Sequence, residues 1–102
     1  MIPTIGRIVH YTLSEQNASA INKRRHDAAQ SGIASQESGA QVHFGNGAQA
    51  GQVYPAIIVR TWGDTEDSVV QLQVFLDGND TFWATSAVQG DAQGQWRQPP
   101  RA

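Results

Sequence analysis

This chain of 102 residues contains no cysteine, which excludes a disulfide framework and any thiolate metal site. Long hydrophobic runs are missing as well, since no window approaches the roughly 18 consecutive apolar residues of a membrane span. Met1 leads into Ile2-Pro3-Thr4-Ile5 without a basic stretch and an apolar core behind it. No secretory signal is therefore expected, and the expected compartment is the cytoplasm. A basic excess is absent too: seven Lys and Arg stand against nine Asp and Glu, for a net charge of −2. That balance argues against binding long nucleic acid, yet a few well-placed arginines can still hold a small anion. Apolar residues make up only 39%, which is low for a globular domain. One domain spanning residues 1–102 is expected, with a modest core that contact between copies would extend, so the chain reads as a homo-oligomer.

What is present begins with a strand. Gly6 to Leu13 is rich in β-branched and aromatic residues. Ser14 is placed to cap a helix with Glu15 in its first turn, although Thr12 and Glu15 also have capping-box spacing. Ala18, Ile21, Arg25, Ala28 and Ala29 fall on one helical stripe, and Ser31-Gly32 is expected to end the helix. A short turn over 33–38 and a turn-rich connection through Gly39-Ala40, Gly45-Asn46-Gly47 and Gly51 follow. The second half reads as β-structure. Gln52 to Gly63 forms a strand whose Pro55 predicts an edge or a bulge near its start. Ser68 to Leu76 alternates, with Val70, Leu72, Val74 and Leu76 facing one side and Gln71, Gln73 and Phe75 the other. Asp77-Gly78 signals a hairpin, Thr81 to Val88 returns, and Gln95-Trp96-Arg97 is a last short strand before Pro99-Pro100. The expected fold is α+β: a small, strongly bent antiparallel sheet, an SH3-like half-barrel, with a helical insertion after the first strand.

Catalytic patterns do not emerge. His10, His26 and His43 lack metal-ligand spacing, no serine sits in G-x-S-x-G, and no glycine loop matches a phosphate or dinucleotide fingerprint. Asp77 and Asp80 are paired carboxylates, but within a turn, where Asp ordinarily serves local backbone bonds. The chain is therefore read as a binder rather than an enzyme, with no catalytic residue, metal or cofactor. Aromatics and arginines gather in the C-terminal half: Arg60, Trp62, Phe75, Phe82, Trp83, Trp96, Arg97 and Arg101. Aromatic faces stack on nucleobases and guanidinium forks grip phosphates, so this mixture suits a nucleotide. The plainer reading makes the tryptophans core and the arginines solvated. Alternation sets Phe82 and Trp83 on opposite faces, one for the core and one for a ligand or neighbour. It also puts Arg60 and Trp62 on one face with Tyr54 and Ile58. Arg24 and Arg25 lie in the one basic run, and Arg25 on the packing stripe marks a candidate subunit interface or second anion site.

The stretches IGRIVHYTL, INKRR, YPAIIVRTWGD, LQVFLDGNDTFWATS and QWRQPPR, which together cover most of the chain, resemble a family of small bacteriophage proteins. They are similar to the first-described type of Thoeris anti-defence protein. The resemblance implies an α+β fold with helices near the N-terminus, assembly as a homo-oligomer (a dimer or trimer of dimers), and residence in the host bacterial cytoplasm. It implies a sponge that binds cyclic nucleotide immune signals without cleaving them and so silences host defence. The ligands would be glycocyclic ADP-ribose isomers or cyclic di- or trinucleotides. The family's pocket is lined by sheet aromatics, a polar loop residue and two arginines near the C-terminus. Carried onto this chain, these are Phe75, Phe82 and Trp83; Asp77, Asn79 or Asp80; and Arg97 with Arg101. The chain is short for the family, which leaves the loop residue open among those three. The competing expectation is a phage structural or assembly accessory protein that acts through protein contacts.

Overall fold

The structure, a computed structural model, describes residues 1–37 and 47–100, with the backbone alone along 29–37. His43, Arg101, Gly39-Ala40 and Gly45-Asn46 lie outside the described residues.

Strand β1 (Ile8–Thr12) is followed by one helix, α1 (Glu15–Glu37), and then by β2 (Val53–Thr61), β3 (Val70–Phe75), β4 (Thr81–Ala87) and β5 (Trp96–Arg97). They form one five-stranded antiparallel sheet in the order β4-β3-β2-β1-β5. The sheet is neither strongly curled nor closed, which corrects the expected half-barrel. Its ends, β4 and β5, stand at opposite edges with three strands between them, and among the described residues no strand passes from one sheet into another. Among the described residues no helix is long and apolar enough to cross a membrane.

Helix α1 starts at a reciprocal capping box. Ser14 Oγ accepts from the Asn17 N–H at 3.1 Å, and Asn17 Oδ1 accepts from the Ser14 N–H at 3.1 Å. Asn17 thus stands where Glu or Gln usually does, and the Thr12–Glu15 alternative is not used. The helix continues through Ser31-Gly32, a second departure from expectation. One helical glycine costs only about 1 kcal/mol relative to Ala, and no proline follows to stop the ladder.

One face of the sheet carries the core. Val9 and Tyr11 from β1, Ala56 and Ile58 from β2, Val70, Leu72 and Val74 from β3, and Ala84 from β4 are buried there. Leu13, Ala18 and Ile21 bring the start of α1 against them, and Trp96 closes the β5 side with no exposed surface. Asn22 clamps the returning chain: its Nδ2 donates to Ala48 O at 2.8 Å and its Oδ1 accepts from the Ala48 N–H at 2.9 Å. Pro55 pairs with His10 of β1, and β3 pairing begins only at Ala56. The proline therefore sits where β2 has no β3 partner, although β2 itself is the central strand. The bulge lies further on, between Ile58 and Arg60.

Candidate functional site

The helix covers one face and leaves the other open, and the strand register arranges the open face in rows. Ile8, Ile57, Gln73 and Trp83 lie across from one another on successive strands. The adjacent row runs from Arg97 through His10 to Pro55, and Phe75 pairs with Thr81 on its far side. Phe75 is 41% exposed and Trp83 55% exposed. They project from neighbouring strands two register positions apart, the diagonal relation within reach of aromatic rings. Arg97 stands three strand spacings from Phe75, about 14 Å, and four from Trp83, about 19 Å. It approaches Asp91 only loosely, at 3.9 Å. Ile8, Val53 and Val59 are also exposed large apolar residues.

The bulge in β2 reverses the faces of the residues after it, Arg60 and Trp62 among them. Alternation alone puts Arg60 and Trp62 with Tyr54 and Ile58, on the core side. The extra residue at the bulge instead pairs Arg60 with Gln71, on the open side. The Arg60 guanidinium there lies 4.9 Å from the centre of the exposed Trp62 ring, a cation–π contact. None of the five strands contains Asp or Glu; all nine acidic residues fall in α1, in turns or in loops. The sheet is thus locally cationic on a chain whose net charge is negative.

Phe82 lies on the other side of β4, half-buried against the core. It helps line a cleft of about 350 Å³ with Tyr11, Gln16, Asn17, Ala20 and residues 83–85. Among the described residues, none that lines it carries a charge. Burial pushes the Tyr11 phenol up, and the bond to Asn17 opposes this. The phenol therefore stays protonated and donates to Asn17 Oδ1 at 2.7 Å. The cleft offers an aromatic edge and carboxamides, which suit a neutral group better than a phosphate.

Asp80 closes the β3–β4 connection and reaches α1. Its Oδ2 accepts from Arg24 Nη2 at 2.8 Å and from Arg25 Nε at 3.0 Å; its Oδ1 accepts from Arg25 Nη2 at 2.8 Å. The hydrogen bond from Arg25 holds the carboxyl down at about 2, against burial, and the same bond raises the Arg25 value. Turn chemistry does not account for Asp80, because both of its oxygens bridge to the helix. Arg25 has a partner within its own chain at the packing stripe. Asp77 and Asn79 are exposed in the same connection, which spans residues 76–80 rather than forming a two-residue turn.

The residues expected to bind ligand thus divide between two sides. Phe75, Trp83 and Arg97 share the open face, Phe82 and Asp80 turn toward the helix, Asp77 and Asn79 stand at the connecting loop, and Arg101 lies outside the described residues. Sequence reading missed Tyr11, Gln16 and Asn17 as cleft residues, and the S-x-x-N spacing from Ser14 to Asn17 was the available signal for the last. Compared with protein-family models, with curated proteins and with solved structures, the chain matches none.

Proposed function

We propose that the protein binds a cyclic nucleotide on the open face of its sheet and acts by holding it, without cleaving it. The observation that carries this reading is the company Phe75 and Trp83 keep. Two exposed aromatic residues stand at diagonal positions on neighbouring strands, on a surface whose strands hold Arg60, His10 and Arg97 and no carboxylate. Rings supply stacking for a base, worth about 1–3 kcal/mol each, and guanidinium groups supply charge-assisted bonds to phosphate. Phe75 and Arg97 stand about 14 Å apart at the backbone, a gap that a bulky cyclic dinucleotide and the long arginine side chain would span together. Retention without turnover needs slow release rather than an activated water. Sequestering an immune signal in this way would spare a phage from the defence that the signal triggers.

The test is calorimetric titration against glycocyclic ADP-ribose isomers and cyclic di- and trinucleotides, followed by heat release and chromatography of the ligand. Binding with intact ligand recovered supports a sponge; altered ligand points to an enzyme. No heat with any member of the panel at millimolar concentration removes the reading.

A second reading draws on the aliphatic part of the same face. Ile8, Ile57, Val53 and Val59 provide more apolar surface than a nucleotide uses, and such patches mark protein contacts. This is the accessory-protein alternative. It predicts no thermal shift with nucleotides.

A further inference from the structure

The two edges of the sheet are built differently. At one edge β5 has only two residues, and Pro99-Pro100 follow it, so little backbone is offered for pairing. At the other edge β4 runs for seven residues, Thr81–Ala87, and among the described residues it pairs with β3 alone. Its sequence, TFWATSA, has no charge and no proline. Charge and proline are two of the devices by which edge strands prevent pairing, and this edge has neither; its one irregularity, a bulge, lies beyond Ala84 and leaves the first five residues regular.

We propose that β4 pairs antiparallel with β4 of a second copy of this chain, about a two-fold axis through Trp83, to give one continuous ten-stranded sheet. The register follows from β4 itself. From Val70 to Leu72 β3 advances two residues, while β4 moves three, from Ala87 to Ala84, with Ser86 at a φ of 55°. This bulge leaves 81–85 as the regular stretch, and Trp83 is its centre. Pairing about Trp83 sets Thr81 opposite the partner copy's Thr85. Phe82 then faces the partner copy's Ala84, a large side chain against a small one, twice over. On the open face Trp83 meets its own counterpart as a directly opposed aromatic pair, a favourable cross-strand combination.

A copy of this chain suits the edge better than a foreign strand. The stretch 81–85 is complementary to itself in size and carries no charge to repel its own image. Asp80, at the end of the strand, is turned toward the helix, where it is ion-paired with Arg24 and Arg25. The pairing does not depend on the ligand, but it would bring two Phe75–Trp83 pairs onto one platform.

The chain has no cysteine, so a single one can report on the seam. Trp83→Cys places two thiols at directly paired positions, where backbones about 4.5–5.5 Å apart at Cα lie within disulfide range. Phe75→Cys, on β3, is separated from its counterpart by three strand spacings, about 14 Å. Under a glutathione redox buffer the Trp83→Cys variant is expected to give a covalent dimer on a non-reducing gel and the Phe75→Cys variant a monomer. In sedimentation equilibrium the unmodified protein is expected at twice 11.0 kDa. Trp83→Lys is expected at the monomer mass, and an equimolar mixture with Trp83→Glu is expected to return to the dimer mass. Circular dichroism identifies any variant that fails to fold, and the two cysteine variants then decide alone. A monomer for the unmodified protein at about 100 µM, where a micromolar interface would be nearly filled, overturns the inference. So does crosslinking of the Phe75→Cys variant as readily as the Trp83→Cys variant, which would mean open faces meeting rather than edges.

Discussion

Replacing Asp80 by Asn should loosen the helix from the sheet by an amount that can be worked out beforehand. In the folded protein the carboxyl sits at about 2 rather than 3.8, because of the hydrogen bond from Arg25 and the further bond from Arg24. Each tenfold change in acidity corresponds to about 1.4 kcal/mol, so the ionised carboxylate contributes about 2 kcal/mol at neutral pH. Asp80 retains 24% of its side-chain exposure and Arg25 only 11%, so solvent screening takes little from that figure. The amide keeps one acceptor but no charge, and it leaves the Arg25 guanidinium facing a neutral group. Urea unfolding at pH 7 should therefore show a loss of about 2 kcal/mol for Asp80→Asn, with Tm lower by roughly 10 °C. The sign with pH follows from a folded value below the unfolded one. The contribution is complete above about pH 4, falls as acid is added, and is nearly gone at about pH 2. The two proteins should converge over that window. A gap under about 0.5 kcal/mol at pH 7, or the same gap at pH 2 as at pH 7, would refute the anchoring role.

Three further outcomes are expected. Tyr11→Phe removes the donor to Asn17 Oδ1, and chemical denaturation should show a loss of about 1 kcal/mol. Trp96→Ala empties the fully buried site beside Tyr11 and should cost about 3–5 kcal/mol, read as a fall in the urea midpoint. Arg97→Ala should leave Tm near that of the parent, since its ion pair with Asp91 is long and exposed. Titration with the preferred cyclic nucleotide should nevertheless weaken by about tenfold to a hundredfold, and unchanged affinity would take Arg97 out of the site.

Where a pattern is local, the sequence is readable. The alternation of Val70, Leu72, Val74 and Leu76 gives the buried side of β3 directly, because period two is enforced by the pleat. The same logic separates Phe82 from Trp83. It fails for Arg60 and Trp62, because one bulge residue reverses every later assignment and no residue type announces it. The helix end escapes sequence reading because a glycine weakens a helix without breaking it. Sheet closure escapes it because strand order is set by pairings far apart in sequence, such as Tyr11 with Trp96. Asp80 looks like a turn residue for a related reason. Its partners lie 55 and 56 residues earlier, and nothing near it names them.

The position of β1 in the sheet bears on how the protein folds. β2, β3 and β4 follow one another as a meander, so their pairings close short loops and can form early. β1 is synthesised first but pairs with β2 across α1 and the segment after it, and with β5 across almost the whole chain. Its two seams carry the largest loop-closure entropy in the sheet. The rate-limiting step should therefore be docking of β1 and α1 onto a preformed meander. Ile58 and Leu72 would be largely structured in the transition state, whereas Val9 and Trp96 would gain their contacts afterwards.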